Sequence, residues 1–443
     1  MRPVQLFKQQ VKGELAMTSK FKYLKEDNNI YPVAVKAGDL IFISGQMAYE
    51  SGVGVPDNLK LHEGMPHHGS LIEKQLKFIY SKLDSSLDEV DTSLKHILKI
   101  NSFHMHGEDV DMALRERRNW FSKDNPPPST LVFTPELPVQ EARVSLDMIN
   151  ISKSAKMPIE SVKLTKSPDI AQVKSIGWAV FSQVLKGAGF IFTRGTTAHN
   201  QDGPLRETLP NYPFPYDNNI VKYQLRYEIE RMKDLLEDAG ASLKHVVRAE
   251  LHMTNMEDIA IVDELWEEYF PVDPPARVII PVPLVVLPMR IESEFIAIDP
   301  SGPYKKEIIN CKSVPEPISP ESTAVKAGPY LFLSGQLATD FKHGLAPEAT
   351  VNPNFPYHSN QARLEAEYII NKVSSICESA GTSIENLVRR RVHYVDMVDI
   401  PVTEDLWVDK LGDKMPASTL FKTSGPLPIP TCKIQYDLTA FIK

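Results

Sequence analysis

The sequence predicts an α+β fold built three times over, with the copies closing on one another as an intramolecular pseudo-trimer. Three observations predict it: one motif that recurs three times along 443 residues, an amphipathic helix stripe after each recurrence, and a short acid-bearing strand that closes each copy. The motif reads Ala34-Val-Lys-Ala-Gly-Asp-Leu-Ile-Phe-Ile-Ser-Gly-Gln46 and returns as Ala324-Val-Lys-Ala-Gly-Pro-Tyr-Leu-Phe-Leu-Ser-Gly-Gln336. A diverged form stands between them, Val184-Leu-Lys-Gly-Ala-Gly-Phe-Ile-Phe-Thr-Arg-Gly195. Recurrence on this scale marks units that bury their apolar faces against one another.

Within a copy the elements follow in a fixed order. A hairpin around the motif comes first. A Pro-rich loop follows: Met65-Pro-His-His68, Phe214-Pro-Tyr-Asp217 and Phe355-Pro-Tyr-His358. Next comes a long helix with apolar residues at i, i+4, i+7 and i+11: Ile72, Leu76, Ile79, Leu83; Leu225, Ile229, Met232, Leu236; Ile369, Val373, Ile376, Ala380. That spacing gives one stripe facing a sheet. Gly240 and Gly381 stand where a helix-ending glycine belongs.

A strand then spans Ile97–His104, Val246–Met253 or Leu387–Tyr394, and a second helix carries Trp266 and Trp407 at matching places. The closing strand is Val144–Ile149, Ile291–Ile296 or Ile434–Thr439. Strands with interspersed helices, rather than strict alternation, favour helices on one face of a mixed sheet. Three such sheets can bury their free faces together. The expected layout is a polar extension over 1–25, copies over 26–152, 177–300 and 320–443, and linkers over 153–176 and 301–319.

The bulk properties exclude several classes. A formal net charge of -8 gives no general means of holding nucleic acid or an anionic membrane. Three cysteines without CxxC spacing argue against a disulfide framework or a structural zinc site. Residues 1–20 lack a signal-peptide core, and no stretch approaches 18 apolar residues, so a cytoplasmic protein with no membrane partner is expected. Walker A, GxGxxG, GxSxG and HExxH motifs are absent from the sequence.

Gly-x-x-x-Phe-x-Ser-Gly-Gln, the helix ending Ala-Gly and the acidic closing strand together resemble the reactive intermediate deaminase family (RidA/YjgF-like), across all three copies. The resemblance implies a chorismate-mutase-like fold, sites in the clefts between copies, and hydrolysis of enamines or imines to ammonia and a keto acid. It implies no metal and no organic cofactor, and a small-molecule substrate. The family's carboxylate-gripping arginine is missing here: Glu136 takes its place in the first copy, and neither Val282–Pro288 nor Ser424–Pro428 supplies one. The ligand-facing tyrosine corresponds to Tyr31, Phe181 and Glu321, and the motif Ser-Gly to Ser44-Gly45, Arg194-Gly195 and Ser334-Gly335. The water-holding acid corresponds to Asp147, Glu294 and Asp437.

Several residues therefore stand as candidates, each beside a plainer reading. Asp147, Glu294 and Asp437 are candidate catalytic bases, their pKa expected to rise in a dry cleft, although a strand acid can equally face solvent. Arg194 could replace the lost clamp from a different wall, or form a surface ion pair. His252 and His393 occupy matching strand positions and would bind substrate or serve as structural residues. Tyr216 and Tyr357 would line a pocket or anchor their loops. Lys36, Lys186 and Lys326 admit a lesser alternative, a Ser–Lys ring-opening amidohydrolase, or belong to ordinary turns. His67, His68, His104 and His106 match no ligand spacing, so no metal site is expected. A deaminase-like hydrolase and a non-catalytic binding or scaffold protein remain the two principal readings.

Overall fold

The computed structural model describes residues 21–27, 29–65, 69–166, 181–200, 203–209 and 220–443. Among these residues three six-stranded sheets form the frame, beside a two-stranded ribbon. The first sheet holds β1 (Phe21–Leu24), β2 (Ala34–Ala37), β3 (Leu40–Gln46), β4 (Ile97–His104), β5 (Ser129–Phe133) and β6 (Val144–Ile151), with helices α1 (Leu71–Ser86) and α2 (Val110–Arg117). The second holds β7 (Glu160–Ser161), β8 (Val184–Gly187) and β9 (Phe190–Thr193). After the ribbon strands β10 (His199–Asn200) and β11 (Gly203–Pro204) it continues through α3 (Ile220–Asp238), β12 (Val246–Met253), α4 (Ile259–Tyr269), β13 (Ala276–Pro281) and β14 (Ile291–Ile298). The third holds β15 (Lys306–Ile309), β16 (Ala324–Ala327), β17 (Tyr330–Leu333), α5 (Gln361–Ser379), β18 (Leu387–Tyr394), α6 (Ile400–Leu411), β19 (Ala417–Lys422) and β20 (Ile434–Phe441).

All three sheets share one strand order: β1-β2-β3-β6-β4-β5, β7-β8-β9-β14-β12-β13 and β15-β16-β17-β20-β18-β19. The closing strand lies in the middle, antiparallel to both neighbours, and the last edge strand runs parallel to the one beside it. The helix stripes pack as their spacing predicts: Ile72, Leu76, Ile79 and Leu83 are buried, as are Leu225, Ile229, Met232 and Leu236. Gly240 and Gly381 adopt φ of +82° and +78°, with no atom within 4 Å of the position of an added Cβ. Left-handed backbone alone accounts for glycine at these two helix ends.

The opposite faces of the sheets meet in a single core. Phe42 and Ile149 from the first sheet, Phe190, Phe192 and Ile296 from the second, and Phe332 and Phe441 from the third belong to one buried cluster. Tyr330 reaches across to the first sheet, its hydroxyl donating to Ala37 O at 2.7 Å. Among the described residues no helix is long and apolar enough to cross a membrane.

Two expectations need correction. The stretches read as an extension and linkers contribute the edge strands β1, β7 and β15. They are two to four residues long and carry no readable period. The second correction concerns β5, β13 and β19, strands that the expected element order does not contain. They form the parallel edge that meets the next sheet, and they become the far wall of each cleft.

Candidate functional site

Each cleft sets the motif of one sheet against the parallel edge strand of another. Ser418 N on β19 donates to Ser44 Oγ at 2.9 Å, and Arg277 N on β13 donates to Ser334 Oγ at 2.8 Å. The two hydroxyls in turn donate to Pro32 O at 2.6 Å and Ser322 O at 2.7 Å. Ser44 and Ser334 are thus tied between backbones, one of them the neighbour's. The third cleft has Arg194 at this place; there Gly195 N donates to Ser129 O at 3.2 Å, as Gly335 N does to Arg277 O at 2.9 Å. The motif glycines leave room for the side chains packed against them. An added Cβ at Gly45 would sit 2.8 Å from Thr419 Cγ2, and one at Gly335 2.9 Å from Gln435 Nε2.

The three closing-strand acids are brought together with cations, in a cyclic exchange between sheets. Asp147 of the first sheet accepts from Arg391 Nε of the third at 2.8 Å. Asp437 of the third accepts from Arg248 Nη2 of the second at 2.5 Å. Glu294 of the second lies 2.8 Å from Lys99 Nζ of the first. Glu250 joins through Arg248 and Arg391. These groups are buried. Burial pushes the Asp147 carboxyl up, but Arg389 and Arg391 more than offset it and hold it below the usual carboxylate range. The same contest ends the same way for Glu294, where Lys99 leads the cations, and for Asp437, where Arg248 does. The expected raised pKa is therefore reversed, because each acid faces a guanidinium or ammonium rather than an apolar wall.

The cleft between the first and second sheets is built differently. Arg194 is 5% exposed, and among the described residues its Nε and Nη2 have no hydrogen-bond partner. Its guanidinium stands 5.7 Å above the Phe181 ring. Burial, with Arg231 next, lowers its pKa to about 10, so the group is cationic at neutral pH. The next residue in the chain, Gly195, has Glu292 packed against it, two residues before Glu294 on β14. A Cβ on Gly195 would collide with Glu292 Oε1 and sit 2.7 Å from Thr130 Oγ1. Burial raises Glu292 to about 7, while His252, Lys99 and Arg194 pull it down. One buried cation with unpaired N–H groups and one carboxyl poised at neutrality thus share this cleft. Equivalent positions on the other closing strands hold Ser145 and Gln435, each packed against its own motif glycine.

The cleft between the second and third sheets encloses about 280 Å³ beside Arg277, Asp263 and Glu321. Arg277 donates to Asp263 at 2.6 Å and to Glu321 at 3.3 Å. Burial raises Glu321, the residue at the family's tyrosine position. Arg277 is an arginine that loop-based reading missed, since it lies on β13 ahead of the loop.

Other candidates fall outside the clefts or into the frame. Tyr357 is 97% exposed and lines no cleft; its loop tip points to solvent. Tyr216, His67 and His68 lie outside the described residues. His252 and His393 are fully buried, and burial lowers His393 to about 3, a neutral core residue. His252 Nε2 stands 3.0 Å from Glu250, which more than offsets burial and raises its pKa. Lys36, Lys186 and Lys326 pair with Asp91, Asp299 and Glu307, and the motif serines bond backbone, which removes the Ser–Lys arrangement. Among the described residues no group of three or more His, Cys, Asp or Glu could hold a metal ion.

The Endoribonuclease L-PSP family matches the chain twice, over residues 26–151 and 174–299. Those stretches cover more than half of the sequence, and the chain belongs to that family. A RutC family protein of Pyrococcus horikoshii is 27% identical over 119 residues, 27% of this chain and 86% of that protein. Reactive Intermediate Deaminase A, chloroplastic, of Arabidopsis thaliana is 24% identical over 136 residues, 31% of this chain and 66% of that protein. Among solved structures, a chorismatase covers 78% of this chain and 93% of its own, at 12% identity and a TM-score of 0.47.

Proposed function

We propose that the protein is a deaminase-like hydrolase of a small carboxylate-bearing imine, enamine or related C–N compound, acting in the cleft between its first and second sheets. The third sheet, with the same strand order, is read as a third copy, and the three as an intramolecular pseudo-trimer needing no metal or organic cofactor. The observation that carries the functional reading is the pairing of Arg194, buried with unpaired N–H groups, with Glu292, poised near neutrality. A planar guanidinium suits a carboxylate, and a carboxyl titrating near pH 7 suits proton transfer. The kinship with a reactive intermediate deaminase supports the same chemistry.

In this reading Arg194 holds the substrate carboxylate. Glu292 takes a proton from water as the water oxygen bonds to the imine carbon and the C=N pair moves onto nitrogen. Glu292 then returns that proton to nitrogen, giving the carbinolamine, and next carries the hydroxyl proton to the same nitrogen as the C=O bond forms and the C–N bond breaks, so that ammonia and a keto acid leave. An enamine first gains a proton on carbon from the acid form of Glu292 and enters as the iminium. Asp147, Glu294 and Asp437, held ionised by their cations, position the closing strands rather than take protons. The net charge of -8 supports a small-molecule substrate over nucleic acid. Ammonia release from a panel of imines and enamines tests the reading: wild type releases it, and Glu292→Gln and Arg194→Gln each lose at least 100-fold in kcat/KM. Undiminished release by either variant would remove that residue from the chemistry.

A further inference from the structure

A cavity of about 210 Å³ lies in the remaining cleft, between the first and third sheets. It is the cleft that keeps Tyr31, Ser44 and Gly45, so a reactive site would be sought there first. Its polar groups are already used. Tyr31 Oη donates to Glu404 at 2.7 Å, and Ser44 is tied to Pro32 and Ser418. Gln46 Nε2 donates to Ser44 O at 3.0 Å. Tyr49 Oη donates to Asn29 at 3.2 Å, and Asn29 Nδ2 to Glu26 at 2.9 Å. Lys82, the cation among the lining residues, lies 2.8 Å from Glu26 and 5.5 Å above the Tyr49 ring. What these groups leave for a ligand is apolar: Val33, Met47, Pro138, Val139, Ile400 and Leu420.

We propose that this cavity binds a neutral one-ring aromatic molecule, and that it does so without turnover. Size and wall chemistry select that class. An apolar cavity of about 150 Å³ is enough for benzene, so 210 Å³ takes one ring with a small substituent. A carboxylate would enter without a cation of its own, since Lys82 is already paired and Arg390, stacked 5.6 Å from the Tyr31 ring, is committed to Glu404. Burying an unpaired charge there is costly. This site does not depend on the hydrolytic reading of the Arg194 cleft, and each can fail alone.

Toluene and benzoate serve as probes of the full chain with labelled methyl groups. Toluene shifts the methyl signals of Met47 and Ile400 saturably, and benzoate at equal concentration leaves them in place. Val139→Trp, which fills the cavity from a partly exposed position, weakens toluene binding at least tenfold. Absence of a saturable toluene shift in the wild type would overturn the proposal. So would benzoate binding as tightly as toluene, a comparison that needs no variant. Unchanged toluene affinity in a folded Val139→Trp protein would place the toluene elsewhere and overturn it too.

Discussion

The Glu292 carboxylate lies against the backbone of Gly195, in the space a side chain at that position would fill. Fixing the acid beside Arg194 thus depends on a residue with no side chain. Gly195→Ala should push the carboxyl away and lower kcat/KM at least 100-fold. The displaced atom is the end of a flexible side chain, so the stability cost should stay near ~1 kcal/mol. Steady-state kinetics with denaturant unfolding checks both halves.

The pH dependence follows from Glu292 at about 7. As the base in hydration of the imine it must be ionised, so kcat/KM should fall on the acid side with an apparent pKa near that value. Stability moves the other way. An unfolded glutamate titrates near ~4.3, so between that value and about 7 the folded chain holds a proton that the unfolded chain has lost. Its contribution is complete below the unfolded pKa and is lost as pH rises through the folded one. Glu292→Gln should therefore unfold at higher denaturant than the wild type at pH 8, by as much as about 3 kcal/mol, with the gap closing toward pH 4.

Ser44 and Ser334 make the same pair of bonds in different clefts, and neither belongs to the proposed reaction. Ser44→Ala and Ser334→Ala should each cost roughly 1–2 kcal/mol from lost buried hydrogen bonds and leave kcat/KM within about threefold. A combined measurement of unfolding and ammonia release separates this tie from a catalytic serine.

Arg391 bonds Asp147 of the first sheet and Glu250 of the second from its place in the third. Removing it takes one cation from each of two buried carboxylates, leaving Asp147 with Arg389 and Glu250 with Arg248. Arg391→Ala should cost roughly 3–5 kcal/mol and raise the pKa of Asp147, visible as a loss of stability that is worst at high pH. Thermal unfolding across pH 5–9 reports it.

Much of the frame was legible because it is local. Helix stripes, glycine turns and the central strands are set by residues a few positions apart, and Val246–Met253 and Leu387–Tyr394 coincide with β12 and β18. The edge strands were not, being short and without alternation. The site was half legible. Arg194 stood out because its siblings are serines. Glu292 did not, since its equivalents Ser145 and Gln435 share no chemistry with it, although its i,i+2 relation to Glu294 puts both on one strand face. The links between sheets escaped notice because Arg391–Glu250, Arg248–Asp437, Lys99–Glu294 and Arg391–Asp147 join residues 141, 189, 195 and 244 positions apart. No periodicity links Asp147 to Arg391.

The central claim is that Arg194 holds a substrate carboxylate next to Glu292. It is tested most directly by measuring ammonia release from one imine as its free carboxylate and as its neutral carboxamide, with wild type and Arg194→Gln. The wild type should prefer the carboxylate by at least 100-fold in kcat/KM, and Arg194→Gln should abolish that preference mainly through KM. An Arg194→Gln enzyme that keeps the full preference, or a wild type that turns over both compounds equally, would contradict it.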